Sequence, residues 1–366
     1  SGFQKTISDK VFSFWGHIRV HNYEMTGMSM AEEIPVVRND SVTDLLKRYP
    51  SIKNIQAFAT KNAIIKTSES IEVVLFKGVE KDYDFNNLKG FLQPGGRWID
   101  FSDSSYSKEI NISVYTADQL GVKVNDQLII YFMQDNGEAP RTRKLKVAGL
   151  YKTGIEEYDK LVAIGDMRLI QRLNDWDSDQ IGGYEMFLRN YDDMDEVSES
   201  ITADLPIGMK SSTIRELYPS IFDWLSMQNY TIIIVLAIMV AIAILNLVTC
   251  LLILVLERTR MVGILKAVGG ENFTIQKVFL YQGAIITVSG LFFGNLLGLL
   301  VCWLQMKFGL IKLPEDAYYM SEAAVNIVWW QVGAVNIATF IICFLVLLIP
   351  TVIIRRIQPV RAIQFR

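Results

Sequence analysis

The sequence predicts a membrane protein of mixed class, an α+β domain outside the bilayer carried on an all-α transmembrane bundle. Three observations predict it. Ile232 to Leu256 is 25 residues without a charge, about 37 Å as a helix at ~1.5 Å per residue, which crosses a bilayer core of about 30 Å. Two more apolar stretches follow, at about Val278 to Trp303 and about Val332 to Ile354, the last containing Pro350. Charge also divides the chain: residues 1–228 carry 26 basic and 34 acidic side chains, net −8, against ten and five, net +5, in 229–366. That asymmetry argues against nucleic acid as a partner of the first part. Cys250, Cys302 and Cys343 all fall in the apolar stretches, so no disulfide framework marks a compartment for residues 1–228.

Residues 1–16 place Phe3, Ile7, Val11, Phe14 and Trp15 close to one helical face, which fits an amphipathic helix at a membrane surface and equally a helix packed on its own domain. From His17 the pattern alternates, and Val36 and Val37 begin a β-rich region. A helix is expected at Val42 to Tyr49, and strands at Ile52 to Lys66 and Ile71 to Val79, separated by the turn residues Thr67 to Ser70. Pro94, Gly95 and Gly96 break the pattern. A second β-rich unit follows, with strands at Ile110 to Tyr115, Gln127 to Met133 and Lys144 to Leu150, a short helix at Thr116 to Leu120, and a hairpin turn at Asp135 to Gly137. Helical patterns at Ile164 to Leu173 and Met194 to Leu205 complete the soluble part, about two domains' worth of chain. Phe222, Trp224, Leu225 and Met227 then lead into the first span and suit a membrane interface.

Arg258, Arg260, Lys266 and Lys277 join spans one and two, and Arg355, Arg356, Arg361 and Arg366 follow span three, so both segments are expected on the cytoplasmic side. The soluble domain then faces outside. A domain exported at the N-terminus needs a signal or span ahead of it, and the chain opens on Ser1, so a further helix upstream and four spans in all are expected.

Between spans one and two lies Glu257 to Gly270, ERTRMVGILKAVGG. Met261, Ile264, Leu265 and Val268 follow i, i+3, i+4, i+7 spacing, with Glu257, Arg258, Arg260 and Lys266 at polar positions. One side can bury against a partner protein, or lie on lipid while the basic residues set topology. Gly290, Gly294 and Gly298 recur every four residues in span two and permit close approach of another helix. Asn246 in span one can bond across helices or to a neighbouring carbonyl. No charge interrupts a span, so the usual sign of an ion pathway or proton relay is missing.

Catalytic chemistry is not indicated. There is no G-x-x-x-x-G-K-[ST] phosphate loop. His17 and His21 have metal-pair spacing for a helix but stand in an alternating segment without a third ligand. Asp175, Asp177 and Asp179 begin like a calcium loop, yet Gln180 and Met186 occupy the positions of its turn glycine and bidentate glutamate. Tyr191 to Glu199 reads as a helix start with acids in its first turn.

The order of parts, ending in RRIQPVRAIQF, resembles the FtsX-like, MacB-type ABC permeases. GFQ near the start, LGVKVND at Leu120 to Asp126, AGLYKTGIEEYD at Ala148 to Asp159 and YPSIFDWL at Tyr218 to Leu225 are most similar to the lipoprotein-releasing subunits LolC and LolE. The resemblance implies a porter-like unit at about 17–96 and 191–228 with a sabre-like unit at about 97–190 inserted, and a non-enzymatic subunit of the bacterial inner membrane with its large domain in the periplasm. It implies no cofactor on this chain, with ATP and Mg bound by cytoplasmic LolD-like ABC ATPase partners. Other implied partners are a second permease copy or paralogue, lipoprotein substrates and a LolA-like periplasmic carrier. Glu257 to Gly270 would be the ATPase-coupling segment, with Glu257, Arg258, Gly263, Lys266 and Gly269 fitting its pattern and Met261 standing where glutamate is usual. Phe14, Trp15, Phe222, Trp224, Leu225 and Met227 would flank an apolar mouth for acyl chains. A MacB-like exporter of antibiotics or toxins, an FtsX-like regulator of a cell-wall hydrolase, and a signalling sensor without ATPase are the competing expectations.

Overall fold

The computed structural model describes residues 2–23, 34–68, 70–103, 105–134, 138–314, 318–320 and 322–355. In chain order the elements are α1 (Gly2–Trp15), β1 (Ile18–Asn22), β2 (Val36–Val37), α2 (Asp40–Lys47), β3 (Ile52–Lys66), β4 (Ile71–Val79), β5 (Glu109–Ser113), α3 (Val114–Leu120), β6 (Gln127–Phe132) and β7 (Arg141–Tyr151). Then come α4 (Glu156–Leu161), β8 (Val162–Asp166), α5 (Met167–Leu173), β9 (Gln180–Ile181), β10 (Gly183–Leu188), α6 (Met194–Asp204), β11 (Met209–Thr213) and α7 (Ile214–Leu217). Four long or amphipathic helices end the chain: α8 (Pro219–Glu257), α9 (Thr259–Ala267), α10 (Asn272–Phe308) and, last, α11 (Trp329–Arg355). They divide into two compact units. One is globular, Gln4–Phe222 with Lys312–Glu322; the other is helical, Ser1–Phe3, Asp223–Ile311 and Ala323–Arg366.

In the globular unit β3 and β4 form an antiparallel hairpin pairing Phe58 with Val79 and Lys66 with Ile71. Its turn is held by Thr67, whose N–H donates to the Ser70 carbonyl and whose Oγ1 accepts the Ser70 N–H. The sheet runs β11-β1-β10-β3-β4-β8-β5-β7-β6, and the far half of β3 also pairs with β6. The six strands β3, β4, β8, β5, β7 and β6 therefore close on themselves, while β10, β1 and β11 extend an open sheet from the first half of β3. Phe76 and Phe132 meet inside the core with centroids 5.2 Å apart, and Gly165 on β8 leaves the space that the Phe76 ring occupies. One nine-stranded sheet thus passes through both predicted β-rich regions.

Local chemistry sets the helix starts. Asn39 Oδ1 accepts from the Ser41 N–H ahead of α2, Ser113 Oγ from Thr116 ahead of α3, and Thr213 with Glu216 makes a reciprocal capping box on α7. The strands predicted at Ile52–Lys66 and Ile71–Val79 form with those bounds. Two expectations are corrected. Ile164 to Asp166 belongs to β8, because it pairs in parallel with β4, and the helix begins only at Met167, where Asp166 caps it. Tyr115 and Val114 belong to α3, not to the strand before it, since the Ser113 cap starts the helix there. The turn expected at Asp135 to Gly137 lies outside the described residues.

In the helical unit, α8 and α10 are long and apolar enough to cross a membrane, at Pro219–Cys250 and Leu280–Phe308; the apolar part of α11 among the described residues is Trp329–Leu345. Their apolar side chains are exposed in the isolated chain, as expected of helices whose solvent is lipid.

Candidate functional site

The segment between α8 and α10 is built to present a face. Arg258 interrupts the helical run at the end of α8, and α9 starts at Thr259. At its other end Gly269 adopts φ +92°, a conformation that favours glycine, and the Gly270 N–H returns to the Leu265 carbonyl at 2.8 Å. The nine-residue helix is therefore closed at both ends. Val262 and Gly263 are buried, whereas Met261, Ile264, Leu265 and Val268 are 37%, 51%, 41% and 84% exposed. The apolar row predicted from spacing is turned outward, flanked by exposed Glu257, Arg258 and Arg260 and half-buried Lys266. An apolar stripe with a basic border is suited to a protein partner carrying an apolar groove and acidic rim.

The residues expected at an acyl-chain mouth are divided between the two units. Phe14 and Trp15 are fully buried in the globular unit, in ring contact with each other and with Tyr158, as part of its core. Phe222 is half-buried and stacks on Phe12 at 5.8 Å. Trp224 packs on Phe3 at 5.7 Å within the helical unit, Leu225 is buried, and Met227 is exposed. Gly290, Gly294 and Gly298 have no described atom within 4 Å of where a side chain would begin, so none of the described helices occupies that stripe. Asn246 is exposed on α8. His17 and His21 stand on or beside a strand; His17 Nδ1 accepts the Leu188 N–H at 2.8 Å, and the His21 ring contacts Ser212 Oγ at 3.2 Å. Asp175 pairs with Arg141 at 2.7 Å.

Residues 233–359, which include α9 and most of α8, all of α10 and α11, match the family of FtsX-like permease C-terminal domains. This chain carries an FtsX-like permease domain. The chain is 23% identical over 381 residues to the lipoprotein-releasing system transmembrane protein LolC of Xylella fastidiosa, an alignment covering all of this chain and 88% of that protein. It is 20% identical to LolE of the same system from Haemophilus influenzae, again across all of this chain and 88% of that one. Among solved structures it is similar to the periplasmic region of MacB from Actinobacillus actinomycetemcomitans, with 13% identity and a TM-score of 0.38 over 56% of this chain and 91% of that one.

Two features of the structure have no clear local signature in the sequence. Asn295 on α10 and Asn336 on α11 exchange side-chain hydrogen bonds at 2.6 and 3.1 Å, and each also donates to the carbonyl four residues before it. In lipid such a pair fixes the register of two helices, because an amide has no water to turn to. The second is an ion triad in the globular unit. Glu185, fully buried, accepts from Arg19 at 3.0 Å and Lys77 at 2.8 Å. Lys77 also donates to the Phe14 carbonyl at the C-terminal end of α1, and Arg19 lies 3.9 Å over the Trp15 ring. The one signal available was the charged residue inside an otherwise apolar strand, GYEMFL.

Proposed function

We propose that this permease is the transmembrane subunit of an inner-membrane ABC machine that lifts acylated lipoproteins out of the bilayer and hands them to a periplasmic carrier. The observation that carries this reading is the similarity to LolC and LolE from end to end, through the globular part as well as the permease domain. The geometry of α9 supports the other half of the reading: ATP is hydrolysed on separate cytoplasmic subunits, and their movement enters through Met261, Ile264, Leu265 and Val268 with Arg258, Arg260 and Lys266 on the rim. The chain acts mechanically, its periplasmic domain passing on movement begun at the spans.

Energetics set what the machine must do. Each methylene drawn from lipid into water costs about 0.8 kcal/mol, so a dozen exposed at once cost on the order of 10 kcal/mol. A shielded path is required, and exposed Met227 and half-buried Trp224, near the start of the first span, can supply apolar cover. The test is reconstitution of the permease with its ATPase and paralogue partners in vesicles holding a triacylated lipoprotein. ATP-dependent appearance of that lipoprotein on a soluble carrier is the expected result. ATP hydrolysis without release, or ATP-driven movement of a small toxic molecule in its place, overturns it.

A further inference from the structure

The stretch Thr153–Asp159, part of the AGLYKTGIEEYD sequence, takes no part in the coupling segment or in the spans. The structure shows why it is shaped as it is. The Asp159 carboxylate accepts from the Thr153 N–H, the Thr153 hydroxyl and the Gly154 N–H, all at 2.9 Å. Gly154 sits at φ +75°, and Ile155 is fully buried. The loop is therefore rigid, with a flat spot at Gly154 beside the Lys10 side chain of α1.

The connector between α10 and α11 uses this seat. Residues Lys312–Glu322 cluster with the globular unit, although the chain on either side of them belongs to the helical unit. Within the connector Lys312 and Glu322 form an antiparallel bridge. At its base Gln305, buried near the end of α10, donates to the carbonyls of both Ile311 and Ala323 and accepts the Ile311 N–H at 2.8 Å. At its tip the Tyr319 carbonyl accepts from Lys10 Nζ at 2.9 Å, and the Tyr319 hydroxyl donates to Glu157 at 3.2 Å. Met320 beside it is buried. Tyr319 stands at φ +56°, which an aromatic residue seldom adopts and keeps only where its surroundings hold it. Gly154 lies directly under that carbonyl, which a side chain there would approach at 3.5 Å.

We propose that this connector is a latch: Tyr319, seated on Lys10 and the Thr153–Asp159 loop, carries displacement of the second and third spans into the globular domain and stays engaged through the cycle. The proposal rests on the lipoprotein-release reading only for the cargo; the mechanical link stands on the contacts themselves. α1 is locked to the same sheet by the Lys77 bond to its last turn, so a pull arriving at Lys10 meets a fixed body rather than a loose helix.

The experiment uses the whole permease with its ATPase in vesicles. Lys10→Met combined with Tyr319→Phe removes both polar keys without adding charge, and Lys10→Arg keeps a donor. Amide hydrogen exchange of residues 312–322 is read first, since it needs no substrate. It should quicken at least tenfold in the double variant while peptides of β3 and β4 stay protected, and remain slow in Lys10→Arg. Unchanged exchange in the double variant overturns the latch whether or not the wild type releases lipoprotein. In vesicles where the wild type does release it, the double variant should keep ATP hydrolysis within twofold and lose release by tenfold or more. Glu157→Cys with Tyr319→Cys, joined by a short bis-maleimide in a background without Cys250, Cys302 and Cys343, should retain release within twofold. Release unaffected by the double variant, or abolished by the cross-link, overturns the proposal.

Discussion

Glu185 shows how much a single residue decides in this fold. Its carboxylate lies in register opposite Arg19 on β1 and Gln56 on β3, and Lys77 reaches it from β4, so four strands meet at one buried charge. Two cations share that carboxylate, with the Phe14 carbonyl and the faces of Trp15 and Phe58 sharing the remaining positive charge. Glu185→Gln leaves both cations uncompensated and should cost about 3–5 kcal/mol, the range for breaking a buried pair from one side. Lys77→Met leaves Arg19–Glu185 intact and should cost less, about 1–3 kcal/mol. Thermal unfolding of the detergent-solubilised permease ranks the two, and equal losses would contradict the shared-carboxylate account. His17 carries a pH effect. Burial, with help from Lys53, lowers its pKa from 6.5 to about 4, while its Nδ1 is occupied by the Leu188 N–H. The unfolded chain therefore takes up the proton first. The stability it contributes is complete above about pH 6.5 and is lost as pH falls toward 4, by on the order of 3 kcal/mol. His17→Gln should flatten that pH dependence in exchange rates of β1 and β10 amides; an unchanged slope would assign it to other groups.

Among the elements, α9 was legible and β10 was not, for physical reasons. The α9 row is a local pattern read at i, i+3, i+4 and i+7, and Met261, Ile264, Leu265 and Val268 are exposed in the structure. The hairpin β3–β4 is likewise local, two apolar runs and a turn. β10 is buried on both faces between β1 and β3, so it lacks alternation, and its glutamate reads as a surface residue until its partners, 108 and 166 positions away, are known. The Asn295–Asn336 clasp is invisible for the same reason, since each asparagine alone looks like any polar residue in an apolar helix. The amphipathic spacing around Phe14 and Trp15 does not say whether the apolar side meets lipid or protein; in the structure it meets Tyr158 and the ion triad. For α9 itself, Leu265→Asp places a charge in the middle of the exposed apolar row, and Arg258→Asp reverses its basic border. Each should reduce ATPase retention in a mild-detergent pull-down by tenfold or more while leaving the fold of the globular unit, read by hydrogen exchange, unchanged. Retention of the ATPase by both variants would move the coupling surface elsewhere.

For the whole molecule, charge and hydropathy divide the chain at the same place. Residues 1–228 are net −8 and the remainder +5, and the basic residues of the remainder concentrate between α8 and α10 and after α11. A segment with Arg258, Arg260, Lys266 and Lys277 resists translocation, while the connector at Lys312–Glu322 mixes charges and clusters with the globular unit. The charge bias predicts that the α9 segment stays on the cytoplasmic side. The proposed coupling through α9 depends on that side, because ATP is cytoplasmic. Single cysteines introduced at exposed Asp118 and exposed Arg260, in a background lacking the three native cysteines, test the arrangement directly. A membrane-impermeant maleimide applied to spheroplasts should label Asp118→Cys at once and Arg260→Cys only after the membrane is opened. Labelling of Arg260→Cys in intact spheroplasts would invert the topology and remove the ATPase from reach of α9.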